Sequence, residues 1–212
     1  MRKTIDLSLY LVTDRPLSLG RPIEWIVEEA VKGGTTIVQL REKDCSTREF
    51  IELAIKLKQT LAPYNVALII NDRVDVALAA NADGVHLGQS DMDCKTARQL
   101  LGPDKIIGLS IEHIDETDAA NQLDIDYVAV SPVYLTGTKT DTSAALGIDG
   151  VKSIVAKSIH PVVGIGGMNK NTIADVIAAG ADGVAVVSAI VSAENPNESS
   201  AELIDIVKQS KQ

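Results

Sequence analysis

Apolar residues fall along this chain in short unbroken runs, and between those runs they thin out to every third or fourth position. The runs occupy 9–12, 36–40, 67–70, 84–87, 106–109, 127–130, 162–165 and 183–187. Runs of this length, rich in Val, Ile and Leu and lacking polar alternation, predict strands buried on both faces. The spaced segments at 23–31, 47–61, 74–79, 93–101, 112–121, 148–156, 170–179 and 200–208 predict amphipathic helices. Strands and helices alternate throughout, which predicts an α/β chain closed into a single (βα)8 TIM barrel spanning residues 1–212. An open doubly wound sheet is the alternative, but it seldom uses so many even repeats.

One internal echo supports the repeat. Ala80-Asn81-Ala82-Asp83-Gly84-Val85 resembles Ala179-Gly180-Ala181-Asp182-Gly183-Val184. Each ends a helix on Asn or Gly, turns on Asp-Gly and enters a strand. They lie about half the chain apart, as two half-barrels would place them, although turns of this kind are also common between any helix and strand. No linker or low-complexity tract splits the chain. The stretch 192–200, with its Asn-Pro-Asn, reads as a loop before the last helix.

Composition narrows the function. With one Trp, one Phe and four Tyr, the core must be built from Val, Ile, Leu and Ala. A net charge of −9 supplies no basic footprint for nucleic acid. An anionic ligand must then be held by a few local cations or through a metal. Cys45 and Cys94 lie in different segments and form neither a disulfide framework nor a zinc site; they read as reduced thiols. The N-terminus has no apolar signal region, and no apolar run approaches the roughly 18 residues of a membrane span. The expectation is a soluble cytoplasmic protein acting on small molecules, with neither a nucleic acid nor a membrane as partner. The sequence leaves its oligomeric state open.

In a βα barrel the active site lies at the C-terminal ends of the strands, and chemically capable residues collect there. After the second strand comes Gln39-Leu40-Arg41-Glu42-Lys43, in which alternation sends Gln39, Arg41 and Lys43 to one side. Arg can grip phosphate oxygens bidentately and Lys adds a point charge. Asn71-Asp72-Arg73 follows the third strand, and His86-Leu87-Gly88-Gln89-Ser90-Asp91 spans the end of the fourth. Two carboxylates on neighbouring strand ends suit Mg²⁺, which is held by one or two carboxylates plus substrate phosphates and water. Equally, Asp72 and Asp91 are placed to cap the helices that follow them. His86 lies within its strand and reads as a packed, hydrogen-bonded residue. Ser110 closes the fifth strand, as a phosphate donor or as a local turn residue.

The segment Ser131-Pro132-Val133-Tyr134-Leu135-Thr136-Gly137-Thr138-Lys139 offers hydroxyls, a flexible Gly and a cation within a few residues. Gly166 and Gly167 follow the seventh strand, and Val187 and Ser188 the eighth, where these barrels often bind phosphate through backbone N–H groups. Ser-His-Asp spacing, a dinucleotide fingerprint and a P-loop are all missing. The chemistry suggested is phosphate-anchored and metal-assisted.

These motifs, in this order, resemble the thiamine-phosphate synthase family: Leu9 to Asp14, Gln39 to Lys43, Asn71-Asp72-Arg73, His86 to Gln89 with Asp91, Gly108-Leu109-Ser110, Thr136 to Lys139, Gly164 to Gly167, and Gly183 to Ala189. The resemblance covers nearly the whole chain. It implies condensation of hydroxymethylpyrimidine diphosphate with thiazole phosphate, giving thiamine phosphate and pyrophosphate by a dissociative route. It implies that Gln39, Leu40, Arg41, Glu42, Lys43 and Asn71 hold the pyrimidine diphosphate, and that Asp72 and Asp91 ligate Mg²⁺. Ser110 and Lys139 would contact the diphosphate, and Arg41, Lys43, Ser110 and Lys139 would serve catalysis. Thr136, Gly137, Thr138, Gly167, Val187 and Ser188 would hold the thiazole phosphate. The chain departs from the family at Ser131, where Gly is more frequent, at Leu135, where Pro is frequent, and across Ile111-Glu112-His113. Two rivals share the barrel. A related thiazole tautomerase needs no diphosphate pocket, whereas this chain has Arg41, Lys43, Asp72, Asp91 and Lys139. A binding protein that had lost turnover would need no intact metal pair.

Overall fold

The computed structural model describes residues 5–135 and 144–211. Eight parallel strands form a closed barrel in sequence order: β1 (Leu9–Val12), β2 (Ile37–Leu40), β3 (Ala67–Asn71), β4 (Gly84–Leu87), β5 (Ile106–Ile111), β6 (Tyr127–Val130), β7 (Val162–Ile165) and β8 (Gly183–Val186). The barrel expected from the apolar runs is the barrel observed. β1 pairs with β8 through Leu9 opposite Val184 and Leu11 opposite Val186, which closes the ring.

Helices wrap the outside: α1 (Ile23–Lys32), α2 (Thr47–Leu61), α3 (Val74–Ala79), α4 (Cys94–Leu101), α5 (Glu116–Ala120), α6 (Gly147–Lys157), α7 (Ile173–Ala178), α8 (Ser188–Val191) and α9 (Pro196–Ser210). α2 illustrates the local logic. Ser46 and Glu49 form a reciprocal capping box at its start. Phe50, Leu53, Ala54, Leu57 and Leu61 then recur at helical spacing and are buried against the sheet.

Both faces of each strand are buried, by different partners. Leu9, Leu11, Val38, Leu40, Leu68, Ile70, Val85 and Leu87 pack outward with the helices. Tyr10, Val12, Ile37, Ile69, Ile106, Tyr127, Val163 and Ala185 pack inward as the barrel's own core. That double burial is why the strands read as unbroken apolar runs.

The echo between 80–85 and 179–184 is half of a larger pattern. The Asp83 N–H donates to the Leu68 carbonyl at 2.9 Å, and the Leu68 N–H donates to the Asp83 carboxylate at 2.8 Å. Asp182 holds Val162, and Asp126 holds Ile107, through the same two bonds. Thr36 holds Leu9 the same way with its hydroxyl. Each staple therefore ties an odd strand to the even strand that follows it, at the end of the barrel away from the strand C-termini. Asp83→Ala, which leaves the buried Leu68 N–H without its acceptor, is expected to cost about 1–3 kcal/mol. Asp83→Asn keeps the acceptor and should cost clearly less in urea denaturation; equal losses would contradict the staple.

Three expectations need correction. The stretch 192–200 is not all loop: α9 begins at Pro196, because Asn195 caps it by accepting from the Asn197 and Glu198 N–H groups and Pro fits the first turn. The fifth helix is shorter than 112–121, because the Glu116 carboxylate accepts from the Glu112 and His113 N–H groups and holds that turn outside the helix. The seventh begins at Ile173, after a turn in which the Asn169 N–H donates to Thr172 Oγ1.

Candidate active site

A cavity of about 580 Å³ opens at the C-terminal ends of the strands. Gln39, Arg41, Lys43, Asn71, Asp72, Asp91, Ser110, Gly167, Val187 and Ser188 all line it. Strand alternation explains the omissions after β2. Gln39, Arg41 and Lys43 face the cavity, whereas Leu40 packs outward in the helix layer and Glu42 turns to Arg15. Thr136, Gly137, Thr138 and Lys139 lie outside the described residues.

The cations are held by neighbours rather than left loose. Arg41 donates through NH1 to the Asp14 carboxylate at 2.8 Å, and Asp14 also accepts the Leu17 N–H. Asp14 is buried, so it fixes the guanidinium from behind while other donors of the fork remain for a ligand. Asp14→Ala is expected to weaken binding of inorganic pyrophosphate by about 10-fold through loss of that positioning; unchanged affinity would show that Arg41 needs no support. Lys43 Nζ lies 2.7 Å from Asp72 Oδ2.

Neither carboxylate caps a helix. α4 is capped by Asp93, whose side chain accepts the Thr96 N–H, and α3 has Arg73 at its N-cap position with no side-chain cap bond. Asp72 adopts φ 61°, a left-handed conformation uncommon outside glycine that Asp tolerates better than most residues, and its side chain lines the cavity. Asp91 Oδ2 accepts the Gly88 N–H at 2.7 Å. Burial, and then an Asp72 oxygen within hydrogen-bonding reach, raise the Asp91 carboxyl above its ordinary range, with Gly88 pulling the other way. Two carboxylates that converge this closely suit a hard divalent cation. Among the described residues no group of three or more His, Cys, Asp or Glu gathers at one point. The protein's share of such a cation would be this pair, with ligand oxygens and water completing the shell.

On the opposite wall Gly166 and Gly167 take φ 98° and 69°. A Cβ on Gly166 would stand 2.7 Å from the Pro132 Cβ, so the loop after β7 can lie against the loop after β6 only as glycine. The Tyr134 N–H donates to the Gly166 carbonyl at 3.1 Å and joins the two loops.

Several lining residues have no role assigned from the sequence: Tyr10, Gln89, Glu112, Met168 and Asn169. Gln89 donates to the Ser110 carbonyl at 2.7 Å. A polar aromatic in the inward phase of a strand is the signal that would have found Tyr10. His86 is packed and hydrogen-bonded within β4, as expected, with Nε2 2.9 Å from Ser110 Oγ. Neither thiol lines the cavity: Cys94 is buried, and burial pushes it up to about 11, away from the thiolate form. No helix among the described residues is long and apolar enough to cross a membrane.

Comparison with known proteins agrees with this architecture. Residues 9–190 match the family model described as thiamine monophosphate synthase. The chain is 54% identical to a thiamine-phosphate synthase of Leptospira biflexa, covering 92% of this chain and 95% of that one. It is 48% identical to a thiamine-phosphate synthase of Clostridium acetobutylicum, covering 98% of each. A solved thiamine phosphate pyrophosphorylase from Pyrococcus furiosus superposes with a TM-score of 0.88 at 38% identity, covering 97% of each chain. The chain belongs to the thiamine monophosphate synthase family, and with it to the transferases of thiamine biosynthesis.

Proposed function

We propose that the protein joins hydroxymethylpyrimidine diphosphate to thiazole phosphate, releasing pyrophosphate and forming thiamine phosphate. The observation that carries this reading is the convergence of Asp72 and Asp91 beside Arg41 and Lys43 in one cavity. A phosphate monoester alone does not call for that much opposing charge; a diphosphate with its metal does.

In this reading Gln39, Arg41, Lys43, Asn71 and Ser110 hold the pyrimidine diphosphate. Gly167, Val187 and Ser188 hold the thiazole phosphate across the cavity, together with Thr136, Gly137 and Thr138; Lys139 joins the diphosphate set. Leu40 and Glu42 contribute through the backbone and through Arg15. Asp72 and Asp91 would hold Mg²⁺, which supplies charge neutralisation on the leaving diphosphate when bound.

The C–O bond to the diphosphate breaks first, and its electron pair leaves with the diphosphate. The electron-rich aminopyrimidine ring stabilises the methylene cation that remains. The thiazole nitrogen lone pair then forms the new C–N bond. No strong base is needed. Arg41, Lys43 and Ser110 stabilise charge on the departing oxygens, and the thiazole phosphate contacts hold the nucleophile close. Incubating the purified protein with both substrates and Mg²⁺ should yield thiamine phosphate by chromatography. A folded protein that binds thiazole phosphate but forms no product would sink the reading.

A further inference from the structure

The cavity floor carries a line of hydrogen bonds whose two ends, Gln39 and Ser110, enter the reaction above and whose interior members do not. Gln39 Nε2 donates to the Tyr10 hydroxyl at 2.8 Å, which lies 2.7 Å from the Tyr127 hydroxyl. The Tyr127 hydroxyl lies 3.0 Å from His86 Nδ1, and His86 Nε2 lies 2.9 Å from Ser110 Oγ. The line crosses from β2 through β1, β6 and β4 to β5, inside a barrel core otherwise filled by aliphatic side chains.

The fold makes room for it. A Cβ on Gly108 would stand 2.1 Å from Tyr127 Cζ and 2.6 Å from His86 Nδ1, so glycine leaves the space in which phenol and imidazole meet. Tyr127 is fully buried and does not line the cavity, so any influence it has must pass through others.

With the Gln39 amide nitrogen as donor at one end and a neutral imidazole, counting protons sets the direction. A phenol has one proton to donate, and a neutral imidazole has one. Burial pushes both phenols well above their ordinary range, so each keeps its proton. The Tyr10 oxygen accepts from the Gln39 amide, so the Tyr10 proton goes to Tyr127 and the Tyr127 proton goes to His86 Nδ1. The imidazole proton then sits on Nε2 and is donated to Ser110 Oγ. The Ser110 proton is left for the cavity. An acceptor at the Gln39 end would reverse every bond and turn the Ser110 proton inward.

We infer that Tyr127 is a positioning residue: through His86 it holds the Ser110 hydroxyl as a donor aimed into the cavity, toward an anionic oxygen of the bound diphosphate. The ligand named here rests on the function proposed above; the direction of the relay does not.

The test has two arms on the full chain. Nitrogen-15 NMR of the free protein should find His86 protonated on Nε2, with that preference lost in Tyr127→Phe and inverted in Gln39→Glu, whose carboxylate only accepts. In turnover, Tyr127→Phe should approach the loss seen in Ser110→Ala, about 10- to 100-fold for a hydrogen bond to a charged group. The double variant should be no worse than Ser110→Ala alone. Wild-type His86 protonated on Nδ1 overturns the relay's direction. Additive losses in the double variant, even with the expected tautomer, reduce Tyr127 to a packing role and overturn the inference. A wild-type protein without synthase activity defeats the proposed function instead, and the NMR arm then decides the relay by itself. If Tyr127→Phe does not fold, Gln39→Glu supplies the tautomer result.

Discussion

Asp72→Ala is expected to lower thiamine phosphate formation by about 100- to 1000-fold, the cost of removing a main source of charge stabilisation on a leaving group. Asp72 lines the cavity from a left-handed backbone conformation, and it converges there on Asp91. If the pair holds Mg²⁺, removing one ligand raises the Mg²⁺ concentration needed for half-maximal rate as well as lowering the plateau. In the proposed reading thiazole phosphate is held by Gly167 and Ser188 on the opposite wall, so its affinity should stay close to that of the unaltered chain. A Mg²⁺ dependence unchanged by the substitution would remove Asp72 from the metal site.

The largest effect on stability is expected at Gly183→Ala. A Cβ there would lie 1.7 Å from the Leu7 carbonyl oxygen and 2.5 Å from its carbon. Both are backbone atoms of the segment leading into β1, so no flexible side chain can yield. Gly183 opens β8, whose pairing with β1 closes the barrel, and relief of the clash must pull that seam apart. The loss should exceed about 4 kcal/mol, beyond ordinary surface or packing changes. Urea denaturation measures it; a loss within about 1 kcal/mol would show that the seam has slack.

The barrel was legible because both faces of its strands are apolar and each run ends in turn chemistry. What escaped had specific physical causes. The capping alternatives for Asp72 and Asp91 could not be excluded from spacing, since Asp93 and Arg73 are also adjacent to helix starts; the backbone geometry decides it. Arg41 and Lys43 were legible by alternation, but their partners Asp14 and Asp72 come from the segments after β1 and β3, contacts that a linear motif does not contain. The relay was hidden for a related reason. Its five members lie on five strands, and Tyr10 and Tyr127 each read as one more apolar residue of a buried run. The start of α9 was misread because Asn-Pro serves equally as a turn and as a helix entrance, and only the Asn195 side-chain bonds distinguish the two.

The most direct measurement is the yield of thiamine phosphate and of pyrophosphate in the same reaction, followed as Mg²⁺ is raised from zero. The account predicts that both rise together, one for one, and saturate. Product formed equally well without Mg²⁺, or pyrophosphate released with no thiamine phosphate, would contradict it.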